Sequence, residues 1–349
     1  MTLRLTLVAL AAGMMAIACA SGDDDDATGT PAPTSSPDAV EAMILYRDAV
    51  GFIVAQDLES GDAIGHPVDF NSEVVVWAAC SPDGGRIAFL RQYFDRRTRT
   101  LEIRDASGAQ EFELPATTQG FDWSPDGTRI AFTEFDGFAN THKVTVMDLA
   151  SGETTELSSG EAIAGSPAWS PDGSVIAYDI ADILSTRADI FLLDPEGGEP
   201  EQVPIEGEGQ WRDPAWAPDG GLLVAGLVDG RQQLYRVPAG GGEPAILTDS
   251  PDIFKGSPRY APDGSLIAYT GSIILEQLSA AIMKLHSFGI FLVNANGSSE
   301  RALTVDPRLN PGSGVDPYLD AYLLGWCLPG AWQDETWEPL VPPTPVGEQ

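Results

Sequence analysis

The residues that most often carry catalysis are few and scattered in this chain. Its three histidines, His66, His142 and His286, lie far apart, and none belongs to an H-E-x-x-H zinc-binding motif. The sequence also contains no Gly-x-Ser-x-Gly nucleophile elbow. We therefore predict that the protein is not an enzyme, with no catalytic residue, no metal site and no cofactor.

Aromatic, arginine and neighbouring polar residues form a second set, whose chemistry would be recognition of a partner. They lie in short segments between apolar runs: Arg91, Tyr93, Arg97, Phe135, Asp136, Trp211, Arg212, Phe254 and Lys255. Aromatic and arginine side chains are frequent anchors of interfaces. The alternative is that these residues pack loops and pair with surplus acids, since the formal charge is −33. So acidic a chain is a poor partner for nucleic acid.

The N-terminal residues have the pattern of an export signal. Arg4 precedes the apolar stretch Leu5–Ile17, and Cys19 follows directly after small residues. This arrangement resembles the bacterial lipobox, which implies that residues 1–18 are removed and that Cys19 is lipidated. The alternative is an ordinary signal peptide cleaved close to the same cysteine.

The segment that follows has the composition of a disordered tether. Residues 19–42 include four consecutive aspartates and many Pro, Ser and Thr residues, with little hydrophobicity. We predict an exported protein that is held to the membrane through its N-terminal lipid and faces the periplasm or the cell exterior. We also expect a monomer.

An internal repeat predicts the elements that position the candidate residues. Its five gapless copies are CSPDGGRIAF from Cys80, WSPDGTRIAF from Trp123, WSPDGSVIAY from Trp169, WAPDGGLLVA from Trp216 and YAPDGSLIAY from Tyr260. The aspartates at 83, 126, 172, 219 and 263 are therefore 43, 46, 47 and 44 residues apart. This period is typical of a four-stranded propeller blade. Pro, Asp and Gly in the motif favour a tight turn that joins two strands.

A second, glycine-containing hairpin recurs six times and predicts six blades. Its first copy, at 52–62, has no SPDG turn before it, whereas Trp326 and Gly330 resemble a decayed copy near the C-terminus. We therefore predict an all-β, six-bladed propeller over residues 43–332, closed by N- and C-terminal strands in one blade. A seventh blade would require a repeat that the sequence does not show.

The five copies resemble the TolB-like family of WSPDG-repeat propellers over nearly the whole predicted domain. Departures are Cys80 at the aromatic position, and Ala217 and Ala261 at the serine position. The resemblance implies a protein-binding or scaffolding module of the cell envelope. An alternative is binding of a small molecule, peptide or glycan at the channel mouth. A more remote one is a metal-dependent lyase, because some similar propellers use inward-facing histidines, here His142 or His286.

Three features remain open at the level of the sequence. Cys80 and Cys327 lie on inner strands of adjacent blades and could form a disulfide, but their motif positions differ by one residue, which could direct them to opposite faces. The insertion 272–287 could be an amphipathic helix or an extended hairpin. Residues 333–349 are predicted to be a proline-rich tail.

Overall fold

The computed structural model describes most of the predicted propeller. The described residues are 42–47, 53–60, 62–66, 68–69, 71–136, 138, 141–165, 167–181, 187–250, 253–276, 285–305, 322–328 and 338–339. The predicted signal peptide, Cys19 and the tether to residue 41 lie outside them. Residues Val40–Gln349 form one compact unit. In the parts of the chain just given, no helix is long and apolar enough to cross a membrane.

The described strands form six antiparallel sheets, which are the six blades of a propeller. Blade 1 contains β1 (Met43–Arg47), β2 (Ile53–Asp57) and β3 (Ala63–His66). Blade 2 contains β4 (Glu73–Cys80), β5 (Ile87–Tyr93), β6 (Thr98–Asp105) and β7 (Gly108–Pro115). Blade 3 contains β8 (Thr118–Trp123), β9 (Arg129–Asp136), β10 (Thr141–Asp148) and β11 (Thr154–Glu161). Blade 4 contains β12 (Ile163–Ala164), β13 (Ala168–Trp169), β14 (Ile176–Ala181), β15 (Ala188–Leu193) and β16 (Glu201–Gln202). Blades 5 and 6 contain β17 (Gln210–Trp216), β18 (Leu222–Val228), β19 (Arg231–Val237) and β20 (Ala245–Ile246); and β21 (Ile253–Tyr260), β22 (Leu266–Glu276), β23 (Leu285–Asn294) and β24 (Arg301–Val305).

The predicted closure of the ring is confirmed. A C-terminal strand, β25 (Tyr322–Cys327), pairs antiparallel with β1, with Trp326 opposite Ile44. It is the innermost strand of blade 1, so the two ends of the chain complete one sheet. A short strand, β26 (Glu338–Pro339), pairs with β3 at the outer edge of the same blade. Part of the segment predicted to be a tail therefore adds a fifth strand.

The SPDG motifs are turns between the first and second strands of their blades. In blade 3, Gly127 has a φ of 67° and donates its N–H to the carbonyl of Ser124. The Ser124 hydroxyl donates to Asp126 Oδ1 at 2.6 Å and accepts from the N–H of Arg129. The hydrogen bonds that Asp126 accepts from the Ser124 hydroxyl and from the N–H of Thr128 lower the pKa of Asp126 to about 2. The motif aspartate therefore stabilises the turn.

The core is formed by the facing surfaces of neighbouring blades. Ile130 and Phe132 pack with blade 2, whereas Ala131 between them packs with blade 4. This alternation follows from the two-residue period of a strand. The short apolar run after each SPDG turn therefore supplies both faces of its blade.

Three of the tryptophans at the motif position hydrogen-bond to the blade before their own. The indole Nε1 of Trp123 donates to the carbonyl of Ala79 at 3.1 Å, and that of Trp216 donates to Ala168 at 2.9 Å. The indole Nε1 of Trp326 likewise donates to the carbonyl of Arg259 at 3.2 Å. Each acceptor is the residue directly before the motif aromatic position of the preceding blade. Trp326 therefore behaves as a member of the repeat.

Cys80, which occupies the aromatic position of blade 2, forms a disulfide with Cys327 of β25. The two Cα atoms are 5.3 Å apart. A residue at the aromatic position faces the preceding blade, so Cys80 faces blade 1. Trp326 packs towards blade 6, and the next residue, Cys327, packs on the opposite side with blade 2. The offset of one residue thus turns the two cysteines towards each other.

The insertion in blade 6 is an extended hairpin where it is described. Strands β22 and β23 stay paired beyond the usual strand length, with Ser272 opposite Phe288 and Ile274 opposite His286. Pairing of the backbone in this register leaves no room for the alternative helix within residues 272–276 and 285–287. Residues 277–284 lie outside the described part.

Candidate functional site

The propeller has two faces with different contents. The turn face carries the SPDG turns, such as Ser124–Gly127, and the glycine hairpins that join third to fourth strands. The loop face carries the turns between second and third strands, such as Phe94–Arg97, and the crossings between blades. The nine candidate partner-binding residues lie on strands or turns towards the loop face. They differ greatly in exposure.

Three of the candidate residues are buried inside the blades. The exposed fractions are 3% for Arg91, 2% for Trp211 and 0% for Lys255. A surface partner cannot reach these side chains without opening the core. The expectation that they anchor a partner is therefore not supported by their placement, and their contacts are structural.

Arg91 is the centre of a buried ion network between blades 1 and 2. Its Nη1 lies 2.7 Å from Glu73 Oε1, and its Nε lies 2.8 Å from Glu102 Oε2. Its Nη2 is 3.2 Å from Nε2 of His66, which belongs to β3 of blade 1. The second carboxylate oxygen of Glu102 contacts Arg104. These contacts compensate the charges that the fold removes from water.

Lys255 is buried in a second polar network, between blades 5 and 6. Its Nζ donates to Gln233 Oε1 at 2.9 Å and to the hydroxyl of Ser250 at 2.8 Å. Glu300 Oε1 lies 3.6 Å from the same nitrogen and also accepts from the hydroxyl of Tyr269. Burial lowers the pKa of Lys255, while Glu300 opposes that shift. The role of Lys255 is to join two blades.

Trp211 packs beneath a groove at the seam between blades 4 and 5. Its ring meets Tyr235 edge-on at 5.2 Å, and a side chain at Gly226 would collide with it. The groove has a volume of about 510 Å³, and Arg187 and Asp189 lie on its wall. The neighbouring Arg212 is half-buried. This groove is large enough for a small ligand.

The blade 2 turn on the loop face offers both apolar and cationic groups to solvent. Phe94 is 62% exposed, and Arg96 and Arg97 are also exposed. The Arg96 guanidinium lies over the ring of Tyr93 at 4.2 Å. Tyr93 therefore supports the turn, while Phe94 and Arg97 remain available for contact.

The equivalent turn of blade 3 exposes another phenylalanine. Phe138 is 107% exposed, and its N–H donates to Asp136 Oδ1 at 2.9 Å. Phe135 is half-buried on β9, as is Phe254 on β21 of blade 6. The large exposed aromatics, Phe94 and Phe138, lie in the predicted segments but were not among the residues singled out by type. Their position at the tips of the turns is the sequence feature that could have indicated their exposure.

Carboxylates bind successive blades together around the inner strands. Asp122 Oδ2 accepts from the N–H of Trp169 at 2.8 Å, and Asp179 Oδ1 accepts from that of Asp213 at 3.1 Å. Asp213 Oδ2 in turn accepts from the N–H of Ser257 at 2.9 Å. These bonds link blades 3 to 4, 4 to 5 and 5 to 6. Their role in the fold is structural.

The contribution of Asp179 to the stability of the fold depends on pH. Burial and the nearby charge of Asp213 raise the pKa of Asp179 to about 7, above the 3.8 of an unperturbed aspartate. Between about pH 4 and pH 7 the folded state therefore holds a proton on Asp179 that the unfolded state has released, and the contribution of Asp179 to stability falls as pH rises through this range.

We predict that Asp179→Asn raises the free energy of unfolding at pH 8 by on the order of 2 kcal/mol, because the amide keeps an acceptor oxygen without a buried charge. The difference from wild type should shrink at pH 5, as measured by urea unfolding at both pH values. Asp126→Asn is the matched control with the opposite sign. The lowered pKa of Asp126 stabilises the fold above about pH 4, and this contribution is lost as pH falls through about 2. A D179N variant that is weaker than wild type at pH 8 would contradict the prediction.

The histidines do not form a metal site within the described residues. His66 contacts Arg91 and packs against Phe89, and His142 lies on β10 with its ring 6.4 Å from that of Tyr178. Burial lowers the pKa of His142. No group of three or more potential ligands among His, Cys, Asp and Glu occurs in the part of the chain that the structure covers. The lyase alternative therefore gains no support from these side chains.

Solved structures with a similar fold include proteins with different activities. TolB from Acinetobacter baumannii is 14% identical with a TM-score of 0.59, and the match covers 82% of this chain and 66% of that one. A protein from Agrobacterium tumefaciens, provisionally assigned as TolB, is 17% identical with a TM-score of 0.54, covering 77% of this chain and 90% of that one. Oligogalacturonate lyase from Vibrio parahaemolyticus is 15% identical with a TM-score of 0.52, covering 76% and 80%. At these identities the likeness shows the fold alone.

The family assignment comes from the sequence itself. A search of curated proteins gives no significant match. The family model described as the TolB beta propeller domain matches residues 84–311, which is more than half of the chain. This match includes four of the five SPDG turns in full and agrees with the six blades, and the chain therefore belongs to the TolB-like β-propeller family.

Proposed function

We propose that this protein is an exported, lipid-anchored propeller that binds a protein partner of the cell envelope through its loop face. The observation that carries the proposal is the exposure of Phe94 and Phe138 at equivalent turns of neighbouring blades. Large aromatic side chains on a soluble surface are costly to hydrate and are typical anchors of interfaces.

The surroundings of the two phenylalanines support a protein interface. Arg96 and Arg97 stand beside Phe94 on a chain with a charge of −33, and an acidic rim on the partner would complement them. The aspartates of the opposite turn face, such as Asp83 and Asp126, accept hydrogen bonds within their own turns. The turns of the loop face differ in sequence from blade to blade, so they are the part of the surface that can determine which partner is bound.

A second candidate function is binding of a small polar ligand in the groove between blades 4 and 5. The observation in its favour is the groove of about 510 Å³ above Trp211, with Arg187 and Asp189 on its wall. The ring of Trp211 is buried and offers little surface for stacking. For this reason we rank the groove below the loop face.

The proposal is tested by affinity purification of the full chain after cross-linking in cells. We expect Phe94→Ser combined with Phe138→Ser to reduce recovery of a specific protein partner at least tenfold, because the apolar anchors are lost. Ile246→Ser is the matched control, since Ile246 is also exposed, at 54%, but lies on β20 at the rim of blade 5.

All three proteins must show the same melting temperature for the comparison to be valid. Recovery of the partner unchanged by the double variant would contradict a loop-face interface. Failure of the wild-type protein to recover any specific protein would favour the small-ligand alternative.

A further inference from the structure

The outer edge of blade 2 is a long and regular strand. β7 (Gly108–Pro115) pairs with β6 without interruption, from Asp105 opposite Gly108 to Thr98 opposite Pro115. Among the described residues, none pairs with the other side of β7. Its backbone therefore ends the sheet with hydrogen-bonding groups that face away from the blade.

The groups that face outward can be identified from the hairpin. A two-residue turn joins β6 to β7, so the flanking pair Asp105 and Gly108 exchanges ladder hydrogen bonds and every second residue after Gly108 points away. The residues whose backbone N–H and C=O groups point away from β6 are then Ala109, Glu111 and Glu113, and all three residues are exposed. Pro115, which has no N–H to donate, falls on the same outward side.

The outer edges of the other blades are each shortened, irregular or covered. The outer strands β16 and β20 have two residues each. The pairing of β10 with β11 and that of β23 with β24 each contain a register shift. β3 is covered by β26. Short strands, bulges and covering segments are devices that prevent pairing at an edge, and β7 has none of these devices.

We propose that the β7 edge binds an extended, basic segment of a partner protein as an additional strand. The outer edge of blade 1 indicates that an extended segment can bind to a blade edge, because Glu338 and Pro339 pair there antiparallel with Gly65 and Ile64. A blade edge of this chain thus accepts an extended segment from a distant part of the sequence as an added strand. Glu111 and Glu113 select lysine or arginine opposite them and oppose pairing with a second copy.

The test uses two synthetic peptides of equal charge. The first is acetyl-Lys-Val-Lys-Val-Lys-Val-Lys-amide, and the second carries an N-methyl group on every residue, so that neither of its edges has a backbone N–H to donate to a strand ladder. Calorimetry with the full chain should show at least tenfold tighter binding of the first peptide. Equal affinities would mean that only charge attracts them, which would overturn the proposal.

Two variants of the same residue separate backbone pairing from charge. Glu111→Pro removes an outward N–H without breaking a bond to β6, and it should abolish the preference for the unmethylated peptide. Glu111→Gln keeps the N–H and should retain that preference at lower overall affinity. A preference that survives in E111P would overturn the proposal.

A measurement on the wild-type chain covers the case in which E111P does not fold. Binding of the unmethylated peptide should slow amide hydrogen exchange at Ala109, Glu111 and Glu113, and leave exchange at Gln110 unchanged. Absence of added protection at these three amides would equally overturn the proposal. Neither outcome depends on the loop-face partner, since β7 lies at the rim of blade 2.

Discussion

Replacing Cys80 and Cys327 together by serine should lower the free energy of unfolding by about 3–5 kcal/mol, one of the two largest stability effects expected in this chain. The disulfide spans 247 residues, and its removal restores the entropy of a very long open loop to the unfolded state. It also leaves β25 attached to the ring by pairing with β1 and by side-chain packing alone. Urea unfolding of wild type and of C80S/C327S at pH 7 measures the difference.

Single variants and a thiol count provide the controls for the disulfide. Cys80→Ser and Cys327→Ser should each cost nearly as much as the double variant, since either one breaks the bond. Denatured, unreduced wild-type protein should show no reactive thiol at these two positions. A reductant that leaves the wild-type midpoint unchanged would contradict a stabilising role for the bond.

The second large effect is expected at Arg91. Arg91→Met should lower the free energy of unfolding by about 3–5 kcal/mol, because it leaves the buried carboxylates of Glu73 and Glu102 without their main cation. The loss should occur although Arg91 contacts no partner outside the protein. Urea unfolding at pH 7 is again the measurement.

A compensated variant shows whether charge or packing causes the loss at Arg91. In R91M/E73Q/E102Q the carboxylates are neutral, so most of the lost stability should return. If the triple variant is no more stable than R91M, the buried ion network is not the cause. A loss of less than about 1 kcal/mol in the free energy of unfolding of R91M would be typical of an exposed ion pair, and it would contradict a stabilising role for this buried network.

The repeat made most of the architecture predictable. A turn motif with Pro, Asp and Gly acts locally, so five copies in phase located the first two strands of five blades. Trp326 located the closing strand because its indole N–H donates to the preceding blade at the same place as those of Trp123 and Trp216. Such features depend on near neighbours in the sequence and on a fixed period.

The surface could not be predicted equally well, since burial of a polar residue depends on partners from another strand or blade. Arg91 and Lys255 resembled exposed anchors in the sequence, but Glu73, Glu102, Gln233 and Glu300 surround them in the fold. Trp211 likewise gave no sign that the ring would pack against Gly226 and Tyr235. Conversely, the exposure of Phe94 and Phe138 becomes clear only when their turns are placed on one face.

The central claim is that partner recognition occurs on the loop face while the turn face is scaffold. Its most direct test is photo-cross-linking from single positions, with p-benzoylphenylalanine in place of Phe94, Phe138, Thr128 on the turn face or Ile246 at the rim. We predict an adduct with the same protein from positions 94 and 138, and none from 128 or 246. Adducts from position 128 without any from 94 or 138 would contradict the account.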